Sequence, residues 1–397
     1  MPDKKGYDFS ATRQIIDQMV QTGAAPGASL QVIRKGETLL AFQIGYADLE
    51  NQIPLTTDSI FRIYSMTKPI TAVLLMTLFE KGLVHLQDPV REFLPGFSQP
   101  MVWTRDNEDW VTRPATRDIT LHHLLTMTSG IPYPDTDHPA SRAIAGLMKT
   151  LFSGPVPDQS VELISVANQL GQIPLCFDPG DGWQYGLSID VIGAVIEVVT
   201  GKKLGQYMRE VLLDPLSMKD TDFYVPAEKA SRLVDLYAYQ EKRLVPFSEK
   251  MLTPGNSNPL QPAHIEYGGA GLFSTRSDYV RFARMLLAGG TLDGIRIISP
   301  KTVNLIRSNH LTAEQRHAFN TNGWHGYSYG LGVRTLKNPA MAGSLAKSGE
   351  FGWEGAAGTW FRIDPVEDMI IVYLTQHMPG EHAVRIPPIQ ATIYAAL

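Results

Sequence analysis

The sequence predicts an α+β fold, in which both chain termini close a sheet-bearing domain around a mostly helical, loop-rich insertion. Two observations predict it. Runs with strand character stand near both ends of the 397-residue chain, at 28–33 and 38–44, then at 329–333, 360–363 and 369–375. The middle carries helical patches and many prolines, with no clear strand run. Strands segregated from helices point to α+β rather than to alternating β-α units. No repeat of 20–50 residues is present, which excludes solenoids and propellers. The expected division is a sheet domain from 1–84 and 266–397, a helical domain from 85–265, and the functional site between them.

Each element has a local reason. Residues 10–22 are amphipathic, with Ile15, Ile16, Met19 and Val20 on one side of a helix. The runs 28–33 and 38–44 flank Arg34-Lys35-Gly36-Glu37, a hairpin signal. The run from Thr71 after Ser65-Met66-Thr67-Lys68 is apolar almost all round, as a buried helix is, and Gly82 is its stop. Helical patches follow at 120–126, 160–170, 189–200 and 204–213, among loops containing Trp103 and Trp110. After Gly268-Gly269-Ala270-Gly271, Ser274 or Thr275 can cap a helix that Gly289-Gly290 ends. A closing helix is expected over 388–397.

Bulk properties exclude several functions. The chain is 44% apolar and 19% charged, ordinary for a globular protein with a sizeable core. A net charge of −5 without a clustered basic patch argues against a nucleic-acid surface. The longest apolar run, near 69–79, is too short to span a bilayer, and no secretory signal is visible, so the cytoplasm is the default compartment. The single cysteine, Cys176, precludes an internal disulfide and reads as a buried packing thiol in Ile173-Pro174-Leu175-Cys176-Phe177. His122 and His123 are adjacent, so one should pack and the other meet solvent. No zinc-ligand spacing, phosphate-binding loop, nucleotide fingerprint or Gly-x-Ser-x-Gly elbow is present, so no cofactor or metal is expected.

The chemistry-bearing stretch is Phe61-Arg62-Ile63-Tyr64-Ser65-Met66-Thr67-Lys68-Pro69. Residues three apart share one helix face, so the Ser65 hydroxyl can meet the Lys68 amine. The helix start adds unpaired N–H groups and partial positive charge that favour an anion. This is how a serine nucleophile with a lysine base is arranged. Short motifs recur by chance, and Ser344-Leu345-Ala346-Lys347 is a second copy, in a Gly-rich segment with no helical run after it. A third proton-carrying group is Tyr185, in the Gly-rich loop Pro179–Ser188 ahead of an apolar helix. An oxyanion hole would use the Ser65 N–H and a second N–H from Phe351-Gly352-Trp353-Glu354-Gly355-Ala356-Ala357-Gly358, whose small residues permit close backbone approach to a ligand.

Taken together, these motifs resemble the serine-hydrolase superfamily of class C β-lactamases and penicillin-binding proteins, and within it the family VIII carboxylesterases. The resemblance spans roughly residues 10–395 and rests on Ser65-Met66-Thr67-Lys68-Pro69, on 118–130, on the Tyr185 loop, on 268–278, and on Trp353-Glu354-Gly355 before Ile363-Asp364-Pro365. It implies an antiparallel β-sheet flanked by helices, with a mostly helical second domain. It implies that Ser65 is acylated, that Lys68 takes its proton, that Tyr185 serves leaving group and water, and that Ala356 gives the second oxyanion N–H. It departs from β-lactamases where Leu187 replaces an asparagine and Trp353 replaces the lysine of Lys-Thr-Gly. Lys347-Ser348-Gly349 mimics that triplet in another register. Trp353, Gly355 and Leu187 are therefore the expected substrate-binding positions, and small uncharged esters the expected partner. Residual cephalosporin cleavage, acyl transfer, and D-amino-acid amidase or peptidase activity stay open. So do a non-catalytic binding role, the natural substrate and the oligomeric state.

Overall fold

The amphipathic stretch near the N-terminus folds as helix α1 (Ser10–Gln21), and the hairpin signal becomes strands β1 (Gly27–Arg34) and β2 (Glu37–Asp48). Lys35 and Gly36 turn between them with φ of +50° and +77°. The structure is a computed structural model that describes residues 6–152, 161–241, 243–247, 258–321 and 323–397. A short strand β3 (Ile53–Pro54) follows. The C-terminal third adds β4 (Tyr327–Tyr329), β5 (Arg334–Leu336), β6 (Phe351–Glu354), β7 (Trp360–Asp364) and β8 (Met369–Leu374). These make one antiparallel sheet in the order β4-β5-β6-β7-β8-β1-β2-β3. The chain ends therefore meet where β1 pairs with β8, from Ser29 opposite Leu374 to Arg34 opposite Met369.

Both sheet faces are covered, as the period-two pattern requires. Leu30 and Val32 of β1 and Ile371 and Tyr373 of β8 pack with Ile16 of α1 and with Ile389 and Ile393 of the closing helix. Ile370, Val372 and Leu374 of β8 and Phe361 and Ile363 of β7 face the opposite way, into the main core. Helix α2 (Thr67–Glu80) lies in that core, buried at every position through Leu78. Helix α3 (Ser188–Thr200) is almost as apolar, and packs beside α2. Helix α4 (Arg276–Leu287) starts with the Thr275 hydroxyl accepting the Asp278 N–H, one of the two expected caps. Among the described residues, no helix is long and apolar enough to cross a membrane.

Several expectations are corrected. The middle region is not free of strands. Met101–Asp106 pairs with Asp109–Pro114, and Tyr237–Gln240 pairs with Arg243–Pro246. Their residues are largely polar or half exposed, so no apolar alternation marks them. The 204–213 patch is a short α-helix, Leu204–Met208, running into a π-turn at Arg209–Leu213. The closing helix α5 (His382–Ala395) begins six residues before Pro388 and holds Pro387 and Pro388 inside. Burial of Ile386, Ile389 and Ile393 offsets the lost backbone bonds. Neither His122 nor His123 is a purely solvent-facing group. His123 forms a capping box with Thr120, and His122 Nε2 lies 3.1 Å from His310 Nδ1. The Cys176 thiol is only half buried, 3.5 Å from His138 Nδ1, and burial raises its pKa to about 12, which keeps it a poor nucleophile.

Candidate active site

Ser65 stands two residues before α2, on a 3-10 turn at Tyr64–Met66. The residue ahead of it, Tyr64, has φ +41°, a left-handed conformation that costs a bulky side chain on the order of 1–3 kcal/mol. Surrounding bonds hold the turn. The Met66 N–H donates to Ile63 O at 3.0 Å, the Ile63 N–H to Leu272 O at 3.0 Å, and the Tyr279 hydroxyl to Met66 O at 2.9 Å.

Lys68 is fully buried, and its Nζ lies 3.0 Å from Ser65 Oγ, 2.8 Å from Tyr133 Oη and 2.7 Å from Gly269 O. Gly269 O only accepts, so it takes one N–H. A neutral amine then has one N–H and one lone pair for the two hydroxyls, and Ser65 can donate to that lone pair. Burial lowers the Lys68 pKa to about 7, against the opposing pull of the Asp190 charge. A neutral amine is thus well populated at physiological pH.

Asp190 lies in the first turn of α3 and accepts the Gly269 N–H at 2.9 Å. Burial raises its pKa, while Lys68 and that N–H pull it back down. Gly269 thus touches both charges, and a Cβ there would sit 2.5 Å from Asp190 Oδ2. Tyr185 precedes α3. Its Oη accepts the Trp353 Nε1–H at 2.9 Å, its ring meets that of Tyr133 at 5.5 Å, and Lys68 Nζ lies 4.7 Å above it. Burial raises the Tyr185 pKa, against hydrogen bonds from Ser65 and Trp353. Tyr133 is raised for the same leading reason, so both phenols stay protonated.

The second oxyanion candidate sits on the turn after β6. Gly355 O accepts the Gly358 N–H at 3.0 Å, and no described residue accepts the Ala356 N–H. Ser65, Tyr185, Leu187, Trp353 and Ala356 all line one cavity of about 520 Å³. Its apolar walls include Tyr64, Met148, Trp183, Tyr267 and Trp324. Asp135, Asp190, Glu354 and His382 are its carboxylate and imidazole lining, and among the described residues no lysine or arginine joins them. Gly355 is not on the wall. A Cβ there would meet Ile63 O at 2.3 Å, so its missing side chain lets β6 close on the Ser65 turn rather than on a ligand. Lys347 lies before β6, where its N–H donates to Asp364 and its Nζ is 4.0 Å from Glu367.

Tyr133, Asp190 and Gly269 escaped the sequence reading. Asp190 as the one acid in the first turn of an apolar helix, and Tyr133 between Pro132 and Pro134, were the available signals. Among the described residues no cluster of three or more His, Cys, Asp or Glu could hold a metal ion.

The family model described as Beta-lactamase matches residues 12–394. An uncharacterised protein of Mycobacterium tuberculosis is 36% identical over 375 residues, covering 92% of this chain and 89% of the relative. Esterase EstB of Burkholderia gladioli is 29% identical over 377 residues, covering 91% and 88%. Among solved structures, EstCE1, a hydrolase with promiscuous acyltransferase activity, superposes with a TM-score of 0.80 at 26% identity, covering 97% of this chain and 98% of that one.

Proposed function

The chain belongs to the β-lactamase family of serine hydrolases, and from that premise we propose that it is a family VIII carboxylesterase cleaving short-chain acyl esters through an acyl-enzyme on Ser65. One observation carries the reading: a fully buried Lys68, with a pKa near 7, has its Nζ 3.0 Å from Ser65 Oγ. On this reading Lys68 accepts the hydroxyl proton as Ser65 attacks the ester carbonyl. The Ser65 and Ala356 N–H groups receive the oxyanion. Tyr185, a phenol steadied by Trp353, passes a proton to the departing alcohol, and water then releases the acid by the reverse route. Tyr133 shares the Lys68 amine and joins this relay. The sheet region (1–84 and 266–397) then supplies Ser65, Lys68, Trp353 and Ala356, while the inserted region (85–265) supplies Tyr133 and Tyr185, with the site between.

The cavity supports the substrate class. Trp353 and Leu187 present apolar surface, and among the described residues the wall offers no lysine or arginine to a substrate carboxylate. Uncharged esters fit, and β-lactam hydrolysis is expected to be weak. EstB, an esterase by name, supports the same reaction. Acyl transfer to an alcohol is the second reading, favoured by the likeness to EstCE1 and by the apolar cavity.

The test is hydrolysis of p-nitrophenyl butyrate by the native protein and Ser65→Ala, with and without added methanol. Native turnover that falls by at least about a thousandfold in the variant supports the reading. Turnover that survives the substitution contradicts it. Butyrate methyl ester formed in preference to butyrate moves the assignment to transferase.

A further inference from the structure

We propose that His382, at the start of α5, is a positioning residue that aims the Ala356 N–H at the oxyanion. The inference rests on the acyl-enzyme reading above and goes beyond it to a residue outside the serine–lysine–tyrosine set. His382 Nε2 lies 2.9 Å from Gly355 O. A carbonyl oxygen only accepts, so the ring nitrogen carries the hydrogen and donates it. Gly355 C=O and Ala356 N–H belong to one peptide unit, which is planar and trans. Fixing the direction of the carbonyl therefore fixes the direction of the N–H on its far side. Donation to the carbonyl also polarises the unit and strengthens that N–H as a donor.

The surroundings hold this arrangement. Gly355 O takes the Gly358 N–H as well, so both acceptor positions of the carbonyl are engaged. The chain between β8 and α5 runs tightly along the same turn. A Cβ on Gly380 would fall 2.8 Å from Ala356 O and 2.7 Å from the Gly358 N. The His377 N–H donates to Ala357 O at 3.1 Å. His382 itself edges the cavity beside Ala356 and Glu354. Burial lowers its pKa, with the Glu354 charge opposing, and neutral or protonated the ring keeps an Nε2 donor.

The experiment compares native protein, His382→Phe and His382→Gln on p-nitrophenyl butyrate, with folding followed by circular dichroism. Phe keeps ring volume without a donor, and Gln restores a donor. The expected result is a kcat lowered by about ten- to a hundredfold in His382→Phe, a fraction of what losing an oxyanion donor outright costs. KM should change by less than about threefold, and His382→Gln should recover most of the kcat. If His382→Phe does not fold, His382→Ala supplies the donor-free comparison without added volume. An unchanged kcat in the folded donor-free variant, or His382→Gln as impaired as that variant, overturns the proposal. Absence of esterase activity in the native protein would instead overturn the reading it rests on.

Discussion

On the proposed mechanism, Lys68 becomes a base through its surroundings. Its folded pKa, about 7, lies below the ordinary 10.5 of the unfolded chain, with burial as the leading cause. Only the neutral amine accepts the Ser65 proton, so kcat/KM should rise with pH through about 7. A profile flat from pH 5 to 9 would remove Lys68 from that role. The same shift has a stability cost. Below pH 7 both folded and unfolded chains bind the proton, and burying the cation costs on the order of 5 kcal/mol. Between 7 and 10.5 the unfolded chain holds a proton the folded chain has shed, so the cost shrinks as pH rises and vanishes above that window. Lys68→Met should therefore be inactive yet gain thermal stability at pH 6, and lose that gain by pH 10; equal melting temperatures for both proteins across that range would refute it. Trp353→Phe keeps the aromatic wall but removes the 2.9 Å bond to Tyr185, and should lower kcat by about tenfold. The candidates Ser65 and Lys68 were legible because their spacing is local, and Tyr185 because it stands in a Gly-rich loop ahead of an apolar helix and matches the family resemblance. Tyr133 meets Lys68 Nζ, and Asp190 meets the Gly269 N–H, from segments far along the chain, and nothing local in the sequence joins them to Lys68.

At the scale of elements, the site depends on β6 lying against the turn that carries Ser65. Gly355 makes that contact, since a methyl group there would stand 2.3 Å from Ile63 O. Gly355→Ala should push the oxyanion turn away, with kcat reduced by at least about a hundredfold while Ser65 stays labelled slowly by a fluorophosphonate. Native-like turnover in that variant would show that the strand and turn have room to spare. The sequence marked α2, the β1–β2 hairpin and the last two sheet strands well, because they are strongly apolar and end at glycines or polar turns. It did not mark the Met101–Pro114 hairpin, whose pairing leaves both faces largely polar or half exposed. It placed α5 late, because Pro387 and Pro388 read as a start although packing carries the helix through them.

For the molecule as a whole, the sheet is completed by both chain ends, and Ser65, Tyr185 and the turn of Ala356 line one apolar cavity. With no lysine or arginine on the described wall, a carboxylate on the substrate finds neither an ammonium nor a guanidinium partner there. The kcat/KM for p-nitrophenyl butyrate should exceed that for mono-p-nitrophenyl succinate by about ten- to a hundredfold, from one missing charge-assisted hydrogen bond. Comparable values would mean that a cationic group reaches the substrate. The proposed function turns on Ser65 as the acylated nucleophile. Its most direct test is intact-mass and peptide mass spectrometry of the protein treated with a fluorophosphonate, beside Ser65→Ala. One adduct per chain is expected, on the peptide containing Ser65, and none on the variant. A stoichiometric adduct on another residue, or one that forms equally on Ser65→Ala, would contradict it.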